Sequence, residues 1–242
     1  MPHTIIVTGA SRGIGLATAQ ALLAGGAQVT AVQRTISAEL AELREKHARA
    51  FRVVLGDCTD GTVINRVIQE TLDAFGAIDG LVFNAGTVGP IGTIAELPLD
   101  AWQNTFDTNV FSIVKFLRQA LPVVADDARI IFLSSVAWGE VTFSAGGPYS
   151  ASKAVINSLN RTLAVEQPGK VCVAIHPGGV ATVMHRDFAR DAKPYNPELL
   201  GGPDIVIEAE LPARVIAKLA LRAPPELSGK YLHWDDPVLT GI

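Results

Sequence analysis

Apolar positions along the chain recur in two rhythms. Short runs rich in valine and isoleucine stop at glycine or polar residues, and longer stretches with helical spacing follow them. The run TIIVTGA (4–10) predicts a buried strand, and GIGLATAQALLAGG (13–26) a helix closed by Gly25 and Gly26. Further strands are expected at 27–33, 51–57, 78–86, 128–135, 170–179 and within GKYLHWDD (229–236). Helices are expected at 37–48, opened by Ser37, at 62–76, around 100–121, at 150–167 and at PARVIAKLALR (212–222). In the helix at 62–76, Val63, Val67, Ile68, Leu72 and Phe75 fall on one face, which must then be covered. Near-continuous apolar strands alternating with helices predict an α/β fold, a Rossmann-like, doubly wound parallel sheet with helices on both faces. In such a sheet the C-terminal ends of the strands line a ligand crevice. Residues 183–210 break the rhythm with Pro194, Pro197, Pro203 and the pair Gly201–Gly202, which predicts a mobile substrate flap above that crevice. No linker interrupts the alternation before it, so one domain over 1–242 is expected, with the flap inside it.

Composition narrows the class of partner. The net charge is −4 and no basic block occurs, which argues against nucleic acid. The two cysteines, Cys58 and Cys172, sit in apolar stretches with neither a disulfide framework nor metal-ligand spacing, as suits a reducing compartment. The opening MPHTIIVTGA lacks the order of a signal peptide, and no run approaches the ~18 apolar residues of a membrane span. A soluble, cytoplasmic protein without metal is expected.

The candidate chemistry lies at strand ends. TGASRGIG (8–15) joins the first strand to the first helix, and its glycines at 9, 13 and 15 permit a tight turn. Backbone N–H groups there can approach a pyrophosphate at the helix N-terminus. The spacing is not G-x-G-x-x-G, and a plain glycine-rich turn competes; the position at the first crossover favours the phosphate. At the end of the second strand an NAD site keeps an acid for the ribose 2′-hydroxyl. Here Gln33 and Arg34 stand instead, with Arg12 in the glycine loop. Two guanidiniums and no acid suit a 2′-phosphate, so NADP(H) is expected over NAD(H).

In GGPYSASKAVINSLN (146–160), Tyr149 and Lys153 stand one helical turn apart and share a face. A phenol of ordinary pKa, ~10, shuttles protons poorly at neutral pH, and a neighbouring ammonium would lower that value. Ser150, Ala151 and Ser152 leave room for a flat cofactor against the helix. An isolated pair of this kind is usually a core tyrosine and a snorkelling lysine, so its company decides.

That company is TGASRGIG, NAG (84–86), Asn109, SS (134–135), YSASK (149–153) and PGGVAT (177–182), in this order. Together they resemble the short-chain dehydrogenase/reductase family in its single-domain form, over nearly the whole chain. LSGKYLHWDDP (227–237) is similar to the sepiapterin reductase and benzil reductase branch. The resemblance implies about seven parallel strands and an NADP-dependent carbonyl reductase or the reverse alcohol dehydrogenase. It implies that Tyr149 donates a proton to a carbonyl oxygen as hydride arrives, and that Lys153 holds the nicotinamide ribose and lowers the Tyr149 pKa. Ser135 would orient the carbonyl, and Asn109 would anchor a water linking Lys153 to solvent. Gly9, Ser11, Arg12, Gly13, Ile14 and Gly15 would form the cofactor loop, with Arg34 at the 2′-phosphate. Asn84, Ala85 and Gly86 would flank the adenine ribose, and Asp57 and Cys58 would meet the adenine edge. Pro177, Gly178, Val180 and Thr182 would add further cofactor contacts. For Asp57, a turn or helix cap before TDG (59–61) competes equally.

The sequence departs from the family at two places. The stretch from serine to tyrosine is one residue longer than usual, which leaves Ser134 and Ser135 as alternatives. Strand alternation lets only one of them serve, and Ser135, nearer the loop, is preferred. Phe83 stands where many members carry a second asparagine. Trp138, Phe143, Met184, Phe188 and Tyr195 are candidate apolar walls and His185 a candidate polar contact, suggesting a bulky or aromatic ketone. His176 reads as an extended residue before Pro177. The helices near 101–121 and 150–167 are apolar beyond one face, as a homodimer or homotetramer would require. The competing function is a non-catalytic NADP(H)-sensing regulator, although a sensor has no need of an acid and a residue that tunes it.

Overall fold

The computed structural model describes residues 2–142, 144–197 and 206–241. Its strands are β1 (Thr4–Thr8), β2 (Gln28–Gln33), β3 (Phe51–Leu55), β4 (Gly80–Phe83), β5 (Arg129–Leu133), β6 (Val171–His176) and β7 (Tyr231–His233). They form one sheet of seven strands in the order β3-β2-β1-β4-β5-β6-β7, parallel at every pairing. The order reverses between β1 and β4, where Ile5 pairs Gly80 and Val7 pairs Val82. That is the switch point at which such sheets open a crevice.

The helices are α1 (Gly13–Ala24), α2 (Ala38–Lys46), α3 (Gly61–Phe75), α4 (Leu99–Phe106), α5 (Ser112–Ala120), α6 (Gly147–Glu166), α7 (Val183–Ala192) and α8 (Glu210–Arg222). Side chains alternate across a strand, so each apolar run feeds two cores. Ile5, Val7, Val29 and Ala31 pack with Leu22 of α1 and Ile216 and Leu219 of α8. Ile6, Val32, Leu81 and Phe83 pack with Ile64 of α3, Phe116 of α5 and Ile156 of α6. Phe83 is accounted for here: its ring stacks on Phe132 at 5.4 Å and meets Phe116 edge-on at 5.6 Å. It contributes to the core, where an asparagine would need polar partners.

Ser37 caps α2 as the sequence suggests, accepting from Leu40 N–H, and Asp60 caps α3, accepting from Thr62 N–H. Three local differences shape the site. The helix expected around 100–121 is interrupted by a π-helical turn, Asp107–Phe111, between α4 and α5. Helix α6 starts at Gly147, earlier than 150, with Pro148 in its first turn. The segment expected to be a flap contains α7, capped by Thr182, whose Oγ accepts from His185 N–H at 3.1 Å. Residues 198–205 of that segment, with Gly201, Gly202 and Pro203, lie outside the described residues, as does Phe143. No helix among the described residues is long and apolar enough to cross a membrane.

Candidate active site

The glycine loop is built by close backbone contact. Gly9 and Gly13 adopt φ of 70° and 56°, where a side chain is disfavoured. A Cβ on Gly15 would stand 2.4 Å from both Asn84 Nδ2 and the Gly9 carbonyl oxygen. Asn84 Nδ2 donates to the carbonyls of Thr8 and Gly9, at 2.9 Å each. Thr8 Oγ accepts from the N–H groups of Asn84 and Ala85 at 3.1 and 3.0 Å. The NAG segment is thereby fastened to the first loop. On the other side, a Cβ on Gly13 would come within 3.1 Å of Thr182 Cγ2, and one on Gly86 within 3.2 Å of Asn109 Oδ1 and 3.9 Å of Lys153 Nζ. Gly9 to Gly15, Asn84 to Gly86, Thr182 and the Tyr149–Lys153 helix therefore meet in one crevice. Ser11 and Ile14 are half-buried on the loop, and Arg12 is its exposed helix cap. Pro177 and Gly178 follow β6, and Val180 bridges to Ile207.

At the end of β2, Gln33 is buried, and neither its Nε2 nor its Oε1 finds a partner. Buried amides left unpaired are costly, so this site fits a polar ligand group such as a ribose hydroxyl. Arg34 and Arg12 are exposed and form no ion pair with the described residues. Both fit a 2′-phosphate. Asp57 is exposed and its Oδ1 accepts from Thr59 N–H at 2.9 Å, the turn contact that competed with an adenine role. The helix cap is the neighbouring Asp60. Cys58 is half-buried, and burial, with the nearby Asp57 charge, pushes its thiol up to about 12. It is neutral and no nucleophile.

At the far end, the Ser135 side chain lies beside the Tyr149 phenol, near enough to favour its charged form. Ser135 Oγ accepts from Ala137 N–H at 3.2 Å, opening a short turn at Val136–Trp138. Ser134 is buried and its Oγ has no partner. Lys153 is buried, and its Nζ donates to the Leu133 carbonyl at 2.7 Å and lies 5.5 Å from the Tyr149 ring centre. Burial raises the Tyr149 pKa, and the neighbouring Ser135 hydroxyl opposes this. Burial lowers the Lys153 pKa to about 8. The expected lowering of the phenol by its lysine does not set the direction here, since burial raises the value and the opposing group is Ser135. Burial shifts both groups toward their neutral forms, yet at neutral pH the phenol stays protonated and the ammonium keeps its charge.

Asn109 sits in the π-turn, 2 % exposed. Its Nδ2 donates to the Thr87 carbonyl at 2.8 Å and to Ser152 Oγ at 2.9 Å, while its Oδ1 accepts from Thr87 N–H at 2.8 Å. Ser152 Oγ donates onward to the Tyr149 carbonyl at 2.7 Å. Both amide hydrogens are therefore spent on protein, and a water at this position would need an acceptor site instead. π-turns recur where a helix must turn one side chain out of register, often at functional sites.

A family model described as short chain dehydrogenase matches residues 3–193. The chain belongs to the short-chain dehydrogenase/reductase family. Its members are oxidoreductases that interconvert carbonyls and alcohols with a nicotinamide cofactor, NAD(P)(H). A solved short-chain dehydrogenase/reductase of Saccharomyces cerevisiae superposes with a TM-score of 0.92 at 33% identity, over 99% of this chain and 98% of that one. A benzil reductase of the same yeast, forming (S)-benzoin, is 31% identical over 98% of this chain and 97% of its own. A short chain dehydrogenase of Burkholderia cenocepacia, solved with NADP, gives a TM-score of 0.82 at 25% identity, over 96% and 95% of the two chains.

Several residues of this short-chain dehydrogenase/reductase crevice were not singled out by sequence. Thr8 and Thr87 act through main-chain bonds, which no spacing reveals. Asn196, bracketed by Pro194 and Pro197, carried the one available signal, a polar residue fixed between two rigid turns. Of the expected walls, Met184 and Tyr195 are 40% and 37% exposed, and Phe188 and His185 are half-buried on α7. An open cleft of about 370 Å³ lies between Thr93–Ala95 and Ser144–Gly147, beside the first turn of α6.

Proposed function

We propose that this protein is an NADPH-dependent carbonyl reductase acting on a bulky or aromatic ketone or diketone. The observation that carries the reading is the buried Lys153 set 5.5 Å from the Tyr149 ring, with Ser135 beside that phenol, along the glycine-lined crevice. When bound, NADPH supplies the hydride that reduces the carbonyl carbon. Gly9 to Gly15, Asn84 to Gly86 and Thr182 would hold it, with Gln33, Arg34 and Arg12 at the adenine ribose. Asp57 and Cys58 would border the adenine, and Pro177, Gly178 and Val180 would complete the wall.

Ser135 receives the substrate carbonyl by a hydrogen bond and aims its oxygen at Tyr149. Tyr149, kept protonated by its burial, donates its phenolic proton to that oxygen. The phenolate left behind is stabilised by the Ser135 hydroxyl and by the Lys153 ammonium, which is still charged at neutral pH. Asn109 holds Ser152 and the Tyr149 carbonyl in line, so the phenol starts from a fixed position.

Preference for NADPH is supported by the two free guanidiniums and by the NADP bound to the Burkholderia relative. Preference for a bulky ketone is supported by the apolar cleft and by the benzil-reducing yeast relative. The chain works as a single cytoplasmic domain that pairs as a homodimer or homotetramer. Phe111 and Val165, 48% and 81% exposed, stand on the helices that would pair.

The test is consumption of NADPH, with NADH in parallel, by the purified protein against aromatic ketones, 1,2-diketones and aldehydes. Turnover of at least one aromatic diketone, faster with NADPH, is expected. Tight NADPH binding without turnover of any carbonyl would instead favour the sensing role.

A further inference from the structure

The turn that follows α7 touches both walls of the cleft at the start of α6. Asn196 is 6% exposed, and its side chain pairs both main-chain groups of Ser144 as a neighbouring strand would. Its Oδ1 accepts from Ser144 N–H at 2.8 Å, and its Nδ2 donates to the Ser144 carbonyl at 2.9 Å. Next to it, the Tyr195 hydroxyl reaches Glu96 Oε2 at 3.5 Å. That oxygen in turn accepts from Thr93 N–H and Thr93 Oγ, at 2.9 Å each. One wall, Ser144–Gly147, is thus held by Asn196, and the other, Thr93–Ala95, is reached by Tyr195.

The held turn is itself under strain. Ala145 adopts φ of 64°, a left-handed conformation that a residue with a Cβ keeps only when its neighbours impose it. Asn196 fixes the residue before it, and the Ala145 carbonyl accepts from Gly92 N–H at 3.1 Å. Immediately after this turn α6 begins, with Tyr149 in its first turn. A group seated in the cleft therefore meets a wall whose shape depends on α7 being in place.

We propose that Asn196 is a positioning residue for the carbonyl substrate. It clasps α7 to the turn before Tyr149, so that the cleft has its substrate-binding shape only while the clasp is made. This rests on the reductase reading. The ligand is a bulky carbonyl compound, held by apolar contact against Ala145 and Ile94, with its reactive group toward Tyr149.

The test uses the full chain in three forms, wild type, Asn196→Ala and Tyr195→Phe, with benzil and NADPH. Hydrogen exchange at the Ser144 amide reads the clasp without any turnover. In wild type that amide is protected, and Asn196→Ala speeds its exchange at least tenfold. The same variant raises KM for benzil about tenfold, leaves kcat within threefold and leaves the NADPH Kd unchanged. Tyr195→Phe, at an exposed position that does not threaten folding, raises KM two- to threefold. An unprotected Ser144 amide in wild type overturns the proposal. So does loss of protection in Asn196→Ala with KM unmoved, or a fall in kcat and NADPH affinity together, which would mark a merely structural residue. If wild type turns over no carbonyl, the reductase reading fails and the kinetic claim falls with it. The exchange measurement shows separately whether the clasp exists.

Discussion

Replacing Asn109 by alanine separates a structural role from a relay role. The side chain is buried in the π-turn and makes three hydrogen bonds, two to the Thr87 main chain and one to Ser152 Oγ. Each such bond contributes about 1 kcal/mol net, so the loss is about 3 kcal/mol. Thr87 is half-buried, so water compensates only in part for its main-chain groups. For a domain of this length, a loss of that size lowers Tm by roughly 6–12 °C. Thermal unfolding of the cofactor-free protein, followed by circular dichroism, measures it without reference to catalysis. Activity should fall as well, because Ser152 loses the donor that fixes it under Tyr149. A Tm within about 1 °C of wild type would refute the reasoning. The amide would then be spare, and its polar contacts exchangeable for water at no cost.

Two further outcomes follow from the charges in the crevice. Arg34→Ala should weaken NADPH binding about tenfold to a hundredfold, the worth of a charge-assisted contact to phosphate, with little change for NADH; fluorescence titration of both cofactors checks it, and equal losses would count against the 2′-phosphate assignment. Lys153 has its pKa lowered by burial from 10.5 to about 8, so below pH 8 the folded protein carries the full cost of a buried ammonium, about 3 kcal/mol. Between pH 8 and 10.5 the unfolded chain binds more protons than the folded one, so this cost shrinks as pH rises. Cofactor-free wild type should therefore gain stability relative to Lys153→Met as pH rises from 8 to 10, in denaturant titrations. A constant difference would contradict the burial argument.

The sheet was legible because its strands are short runs dominated by valine, isoleucine and other apolar residues that end at glycine or a polar cluster, as at Thr8–Gly9 and Phe83–Asn84. The glycine loop drew its reading from its place after the first strand, and the Tyr149–Lys153 pair from the motifs around it, since neither spacing is specific alone. The π-turn at Asp107–Phe111 was not, since one extra residue in a helical turn leaves the apolar periodicity on either side intact. Helix α7 was missed for a different reason. Met184, Phe188 and Ala192 do fall one helical turn apart, but the stripe is short and lies among charged residues, and the prolines and glycines beyond it pointed to a loop. The Tyr149 pKa went the other way because spacing shows the ammonium beside the phenol but not the burial of both. The same holds for Asn109 and Asn84, whose amides are spent on Thr87, Ser152 and the first loop. Those partners are distant in sequence, and only the folded crevice brings them together.

In the proposed reaction the Tyr149 hydroxyl is the acid that protonates the substrate. The most direct measurement is NADPH oxidation with an aromatic diketone by Tyr149→Phe, alongside the NADPH Kd of the same protein. Loss of a general acid in this role lowers kcat by about 10²–10⁴-fold, and the Kd should stay within a few-fold of wild type. A variant that binds NADPH as wild type does and retains more than about a tenth of its kcat would contradict the account, because the proton would then come from elsewhere.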